Sequence, residues 1–262
     1  MLRSDGRMAL LSIDCVTKRF GGLDALREVT FGVHEGQIKA LIGPNGAGKT
    51  TLFNIASGAY RPSEGRVLFS GVDVTRKASH HICRMGMGRT FQHSLVFDDM
   101  SVLENVAVGR YSRTKAGALS AALGLPLHRR EERETFETAH EALRRVELDH
   151  RSGEVAESLP MGERHLLEIA RALASEPRLL LLDEPAAGLN DGESQRLAET
   201  VRKIRDEGVT VLLVEHDMTF VMDISDEVVV LDYGRKIAEG PPLMIQDNEE
   251  VIKAYLGEEL GR

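Results

Sequence analysis

The run Gly43-Pro44-Asn45-Gly46-Ala47-Gly48-Lys49-Thr50 restricts the possible folds more than any other part of this chain. It fits the pattern G-x-x-x-x-G-K-[ST], a loop that cradles phosphates between a strand and a helix. The strand-like run Ile38-Lys39-Ala40-Leu41-Ile42 precedes it, and a helix-like run from Thr51 to Ser57 follows. The glycines leave room for a phosphate chain to lie against backbone N–H groups. Lys49 offers a point charge for the β- and γ-phosphates, and the Thr50 hydroxyl a ligand for Mg²⁺. A Gly-rich turn with an incidental lysine would not carry all eight positions in a strand–loop–helix setting. Residues 43 to 51 are therefore the candidate binding residues for a nucleoside triphosphate.

At 262 residues the chain suits one large domain, or one domain with a substantial insertion. Lys and Arg number 33 against 41 Asp and Glu, and the net charge of −8 argues against a broad basic face for nucleic acid. Cys15 and Cys83 form neither a metal-ligand spacing nor a disulfide framework, which fits a reduced, cytoplasmic compartment. No apolar run approaches the ~18–20 residues that cross a bilayer. The first residues, Met1 to Gly6, lack the apolar core of a secretory signal. Any membrane role is expected to pass through a partner.

Alternation at Leu11, Ile13 and Cys15 predicts a half-buried strand, followed by an expected loop over Thr17 to Gly22 that exposes Phe20. Phe31 and Val33 mark a second strand, and Arg66 to Ser70 another, so the early chain is rich in β-structure. A short helix is expected within residues 79 to 92. Ser101-Val102-Leu103-Glu104 is a capping box opening a helix through about Val108. Residues 112 to 128 are expected to form a helix pair or mobile segment. Phe136, Ala139, Leu143 and Val146 fall at helical spacing, as do Leu166, Ile169, Ala170 and Leu173. Residues 93 to 176 thus form a helical subdomain inserted into an α/β core. The core resumes with the strands Leu179 to Leu182 and Val209 to Val214, separated by a helix over 192 to 207. Apolar strands alternating with helices imply a parallel sheet covered on both faces. Glu227 to Leu231 and Lys236 to Glu239 form an expected hairpin, and residues 240 to 262 a helical extension.

Ligands of open α/β sheets sit at the carboxyl ends of the strands, and three of those ends carry chemistry here. The first is the phosphate loop. The second is Asp183-Glu184, after four leucines: Asp183 is placed to hold Mg²⁺, and Glu184 to polarise an attacking water. An Asp-Glu pair after a strand is by itself an ordinary turn, and its meaning comes from the phosphate loop upstream. The third is His216, placed to contact a γ-phosphate or, alternatively, a solvated turn residue. Gln92 could reach both Mg²⁺ and the water, although a lone Gln says little.

The ordered set of phosphate loop, Gln92, helical insertion, Leu159-Pro160-Met161-Gly162-Glu163, Leu179 to Pro185 and His216 resembles the ATPase subunit of an ABC transporter, from Phe20 to about Gly240. The resemblance implies a phosphate-loop ATPase of ABC type: α/β, with a mixed or parallel core sheet, an N-terminal β-rich subdomain and the inserted α-helical subdomain, residues 1 to 262 being one such domain. It also implies that Phe20 stacks on adenine, that Gln92 links the site to membrane subunits, and that Asp183, Glu184 and His216 are the Mg²⁺-binding carboxylate, the catalytic carboxylate and the switch histidine. Two such subunits would pair head to tail, each ATP lying between one phosphate loop and the other subunit's signature segment, here represented by Gly162. The implied partners are a second ABC ATPase subunit, two integral-membrane permeases and, indirectly, a solute-binding protein, with the ATPase peripheral on the inner face of the membrane. Asp183 to Asn190, Leu167 to Leu173 and Val251 to Gly257 are similar to the branched-chain amino-acid importer group, in which importers of urea or short amides look alike.

The general signature of the family is Leu-Ser-Gly-Gly-Gln. Here Pro160 removes a hydroxyl and a backbone N–H, and Met161 puts a side chain where glycine allows close approach. Glu163 adds a negative charge near the start of the following helix, whose dipole favours anions. Asn190 replaces the usual aspartate after the catalytic carboxylate. These departures favour a heterodimer with one more active site, and they leave a regulatory nucleotide-binding subunit with weak turnover as an alternative. Met85, Met87, Leu95, Val96 and Phe97, within residues 85 to 105, are candidates for the permease-docking surface or, equally, for the core.

Overall fold

The computed structural model describes residues 9–90, 96–113 and 126–259. Strands β1 (Leu11–Phe20), β2 (Leu23–Val33), β4 (Glu64–Phe69) and β5 (Val72–Asp73) form an antiparallel sheet in the order β2-β1-β4-β5. Strands β3 (Ile38–Ile42), β6 (Met87–Arg89), β7 (Leu179–Asp183), β8 (Thr210–Val214), β9 (Glu227–Asp232) and β10 (Arg235–Gly240) form a second sheet in the order β10-β9-β3-β8-β7-β6. All neighbours in it run parallel except β9 and β10, the expected hairpin. The architecture is α/β with a mixed sheet.

The central strands β3, β7 and β8 are buried on both faces, as their largely apolar sequences require. Side chains alternate between two cores. Leu180 and Leu182 join Ile38, Ala40 and Ile42 on the helical side, whereas Leu179 and Leu181 face the antiparallel sheet with Leu41. One position breaks the apolar run. Lys39 is fully buried in β3, and its ammonium is held by the Gly32 carbonyl (2.6 Å), Glu239 (2.6 Å) and Glu227 (2.9 Å). Three acceptors match the three donors of the side chain and offset the cost of burying it.

The expected loop over Thr17 to Gly22 is shorter than the sequence suggested. β1 runs on to Phe20, which pairs with Leu23 across a Gly21-Gly22 turn, and β2 starts well before Phe31. The polar residues Lys18 and Arg19 do not break the strand, because pairing with β2 continues through Leu26 and Asp24 while the Ser63 hydroxyl accepts the Arg19 N–H (3.0 Å).

Helices α1 (Lys49–Ala56) and α2 (Ser79–Arg84) accompany the early strands. Helices α3 (Val102–Gly109), α4 (Pro126–Arg145) and α5 (Met161–Leu173) lie between β6 and β7 in the chain and share one core through Val102, Val106, Ala139, Leu143, Leu166 and Ile169. Most of the 112 to 128 stretch lies outside the described residues, and Pro126 opens α4 at a position where proline costs no intrahelical bond. Beyond β7 come α6 (Asp191–Asp206), α7 (Met218–Ile224), α8 (Pro242–Gln246) and α9 (Glu249–Glu259). No described helix is long and apolar enough to cross a membrane.

The candidate docking residues divide sharply. Met87 is buried in β6, and Met85 and Val96 pack against the cores, so the sheet edge claims them. Phe97 remains exposed, next to an exposed Met100. Leu95 lies outside the described residues.

The Ser101–Glu104 capping box forms in full: the Ser101 hydroxyl accepts the Glu104 N–H (3.2 Å), and the Glu104 carboxylate accepts the Ser101 N–H (2.8 Å). Ser101→Ala is expected to lower stability by about 1 kcal/mol, read as a lower denaturant midpoint at unchanged slope and with unchanged nucleotide affinity.

Candidate functional site

Three parallel strands set the site. β7 pairs with β8 in register up to Asp183 and Val214, and β8 pairs with β3 up to Val214 and Leu41. The carboxyl ends of the three strands therefore lie side by side, and the loops that leave them carry Gly43 to Thr50, Glu184 and His216.

The phosphate loop is built against backbone. Gly43 (φ 148°) and Gly48 (φ 102°) occupy conformations that side chains rarely adopt. A Cβ on Gly43 would fall 2.1 Å from the Leu231 carbonyl oxygen, and one on Gly48 2.6 Å from that of Ala25. Gly48 directly precedes α1, whose first N–H groups are the natural anion site. The Lys49 ammonium is buried and donates to the carbonyls of Gly43 (2.6 Å) and Pro44 (3.0 Å), so it lies inside the curl of the loop. Asn45, Gly46 and Thr50 are exposed, while Pro44 and Ala47 are buried and Thr51 is half-buried.

Asp183 ends β7 as a buried carboxyl. Its Oδ2 accepts from the Arg89 guanidinium at 2.9 Å, and its Oδ1 is buried with no hydrogen-bond partner among the described residues. Burial pushes the Asp183 carboxyl above the ordinary aspartate range, against the opposing pull of Arg89. An orphaned carboxylate oxygen at the end of β7 suits a hydrated Mg²⁺. This ion prefers one or two carboxylates completed by waters and phosphate oxygens to an all-protein cage.

Glu184 carries φ 49°, the left-handed conformation, which costs a non-glycine residue about 1 kcal/mol or more. Its N–H donates to the Val214 carbonyl (2.9 Å), and its own carbonyl accepts from Ala187 (3.2 Å). His216 follows the end of β8 with its side chain 60% exposed. Gln92 lies outside the described residues.

Phe20, at the end of β1, is 45% exposed. Tyr60 meets it edge-on (5.8 Å between centroids, 76°), and the Lys18 ammonium lies 4.7 Å from its ring centre. Lys18 is fixed by the Arg61 carbonyl (2.8 Å), so the aromatic pair and its cation form one exposed platform.

Pro160 is the N-cap of α5, where its missing N–H costs the helix nothing. Met161 is 54% exposed, and its methyl lies over Gly188, 2.8 Å from where a Cβ would stand. Gly162 faces the Glu193 carboxylate, which itself closes a capping box with Asn190 at the start of α6. Asn190 thus supplies the capping oxygen an aspartate would, without the charge. The charge of Glu163 is met by Arg151 at 2.8 Å, so it does not stand alone near the helix start as the sequence suggested.

Two residues essential to this geometry went unassigned in the sequence. Arg89 donates to Asn54 (2.8 Å), Ser57 (2.7 Å) and Asp183 and lies over the Phe53 ring, tying α1 to the end of β7. Glu215, 1% exposed, accepts from the backbone of Ala186 (2.7 Å) and His216 (3.0 Å). An acid closing an apolar strand beside His216 was the available signal for Glu215. Nothing in the spacing of Arg89 marks its partners 32 to 94 residues away.

Fold and strand ends together define a nucleotide-binding protein of the phosphate-loop class. The sequence matches the ABC transporter family over residues 26–187, and residues 235–260 match the family described as branched-chain amino acid ATP-binding cassette transporter. It is 44% identical over 250 residues to the high-affinity branched-chain amino acid transport ATP-binding protein BraF of Pseudomonas aeruginosa, covering 95% of this chain and 98% of that one. Against LivG of Escherichia coli K12, described in the same words, the identity is 42% at the same coverage. Among solved structures, a nucleotide-free ATP-binding cassette from an ABC transporter superimposes with a TM-score of 0.84 at 31% identity, covering 95% of this chain and 99% of that one. An ABC transporter cassette in its ADP conformation gives 0.85 at 32% identity and the same coverage. The chain belongs to the ABC transporter family of ATP-binding cassettes, and it is an ATPase of that class.

Arg89→Ala is expected to destabilise the nucleotide-free chain by about 3 kcal/mol near neutral pH, because it strands the buried Asp183 carboxylate. Since the folded pKa of Asp183 lies above its unfolded value, and rises further without Arg89, the folded state of the variant takes up a proton as pH falls. The loss should therefore shrink toward acid pH, a trend that urea denaturation curves across the pH range would reveal.

Proposed function

We propose that this chain is the ATP-binding and ATP-hydrolysing subunit of an importer for branched-chain amino acids. The observation that carries the mechanism is the in-register ending of β3, β7 and β8, which gathers the phosphate loop, Asp183, Glu184 and His216 along one edge. The solute class rests on the match over residues 235–260 and on the names of the relatives.

In this reading Phe20 stacks on adenine, with Lys18 and Tyr60 steadying its ring. The N–H groups of residues 43 to 51 and the Lys49 ammonium bind the triphosphate. Thr50, Asp183 and Gln92 would hold Mg²⁺, which when bound neutralises charge on the β- and γ-oxygens. Glu184 accepts a proton from the attacking water, and His216 contacts the γ-phosphate and fixes the geometry of that water. The phosphoryl group passes to water in line, leaving ADP and phosphate.

The other half of each site is supplied by a second ABC ATPase. The start of α5, with Gly162 at its first turn, faces the partner's nucleotide, and the partner's signature segment completes this chain's own site. Pro160 and Met161 weaken what this chain offers its partner while Glu184 stays intact, which favours a heterodimer whose more active site uses Glu184. Two integral-membrane permeases hold the pair on the inner face of the membrane and receive solute from a binding protein. Residues 93 to 176 form the subdomain that transmits dimer closure to them, with the exposed Phe97 and Met100 in the docking region and residues 240 to 262 as a C-terminal extension.

Lys49→Ala is expected to abolish ATP binding and transport while leaving the thermal melting of the chain unchanged; transport that survives it would refute the ATPase role. Glu184→Gln should retain ATP binding and slow hydrolysis by about 10²-fold or more. In the assembled transporter it should cost more activity than the equivalent change in the partner. Equal losses, or a larger loss from the partner's change, would refute the asymmetry. Uptake of labelled leucine by reconstituted vesicles, set against urea and acetamide, tests the solute.

A further inference from the structure

Two loops carry the groups that act on the attacking water, and one buried side chain bridges them. Glu215 follows the last residue of β8, and both of its carboxylate oxygens are engaged. Oε1 accepts the Ala186 N–H at 2.7 Å, and Oε2 accepts the N–H of His216 at 3.0 Å. Ala186 lies two residues after Glu184 in the turn that leaves β7. Glu184 itself sits in the left-handed conformation at φ 49° and is held there by two backbone bonds, its N–H to Val214 and its carbonyl from Ala187. Such a conformation persists only where the surrounding structure over-determines it. The buried carboxylate supplies that determination from the neighbouring strand, and it simultaneously fixes the backbone from which His216 projects.

We propose that Glu215 is a positioning residue of the hydrolytic site, a brace that sets the Glu184 turn and the His216 loop at a fixed separation. This inference rests on the reading of Glu184 as the general base. A carboxylate suits the task because it accepts at both oxygens. A glutamine of the same shape accepts at only one and turns an N–H₂ toward the other amide, so it holds one loop and repels the other. An aspartate keeps the charge but is one methylene too short to span both amides. Neither change touches the phosphate loop, so ATP binding is expected to persist while the water-activating geometry is lost. A displacement of about 1 Å at such a site costs up to about 10²-fold in rate.

The test follows hydrolysis in single turnover in the complex with the partner ATPase, and mant-ATP binding and thermal melting on the full chain. Glu215→Gln is expected to lower the hydrolysis rate about tenfold or more, with mant-ATP affinity within about twofold of the parent and a melting transition that stays cooperative though a few degrees lower. Glu215→Asp, which guards against a folding failure of the first variant, should also lose rate with affinity kept. The decisive measurement is the pair with Glu184→Gln. A brace that acts through Glu184 has nothing left to position once the base is gone, so the double variant should be no slower than Glu184→Gln alone. Full hydrolysis in either Glu215 variant, a parallel loss of affinity and melting temperature, or multiplied losses in the double variant would overturn the proposal. If Glu184→Gln alone leaves hydrolysis intact, it is the general-base reading that fails instead.

Discussion

Parallel pairing in register is the constraint on which this molecule depends. A parallel sheet places equivalent ends of its strands at one level, so residues more than a hundred positions apart in the chain meet at a single edge without any loop having to reach for them. Leu41 lies beside Val214, and Val214 beside Asp183. A slip of one residue in either pairing would move the phosphate loop relative to Glu184 and turn every strand side chain to the opposite face. Because Leu180 and Leu182 feed one core and Leu179 and Leu181 the other, both cores resist such a slip. Burial fixes the register, and the register fixes the site.

Conformations costly to hold gather just beyond these strand ends. Gly43, Gly48 and Glu184 all have positive φ. The two glycines lie against backbone carbonyls that leave no space for a Cβ, while Glu184 depends on hydrogen bonds from β8 and from its own turn. Catalytic geometry is thus imposed by the rigid sheet on turns that would not adopt it alone. Arg89 plays a related part on the other side of β7, joining α1 to Asp183 through three side-chain bonds.

Much of this was legible in the amino-acid sequence, and the reasons are physical. The phosphate loop is contiguous, so its chemistry and its strand–loop–helix setting can be seen in eight residues. The apolar strands that end in Asp183-Glu184 and Glu215-His216 declare both their burial and their polar termini, and the Ser101 capping box is local by construction. Contacts between segments distant in the chain were not legible. Lys39 stands in the strand-like run 38 to 42 with no partner near it in the sequence, yet Glu227 and Glu239 arrive from the far end of the chain to pair with it. For Met85 and Met87 surface and core were equal alternatives in the sequence; an edge strand buries Met87, and Met85 packs against the same core. Lys18 lies two residues before Phe20 on β1, whereas Tyr60, forty positions away, reaches the ring only through the fold.

Lys39 and Lys49, ten positions apart on one strand and the loop that follows it, are two lysines with opposite fates. The ammonium of Lys39 is surrounded by two carboxylates and a carbonyl, acceptors that no incoming anion can displace at a profit in charge. The contacts of Lys49 to the carbonyls of Gly43 and Pro44 are with neutral oxygens. A phosphate oxygen outcompetes a neutral carbonyl for an ammonium, because a charged acceptor makes the stronger hydrogen bond. Lys39 is therefore committed to its carboxylates, whereas the bonds of Lys49 to these two carbonyls are ones that a phosphate oxygen can replace. The difference between these bonds lies in the charge of the accepting oxygens, not in the residue type.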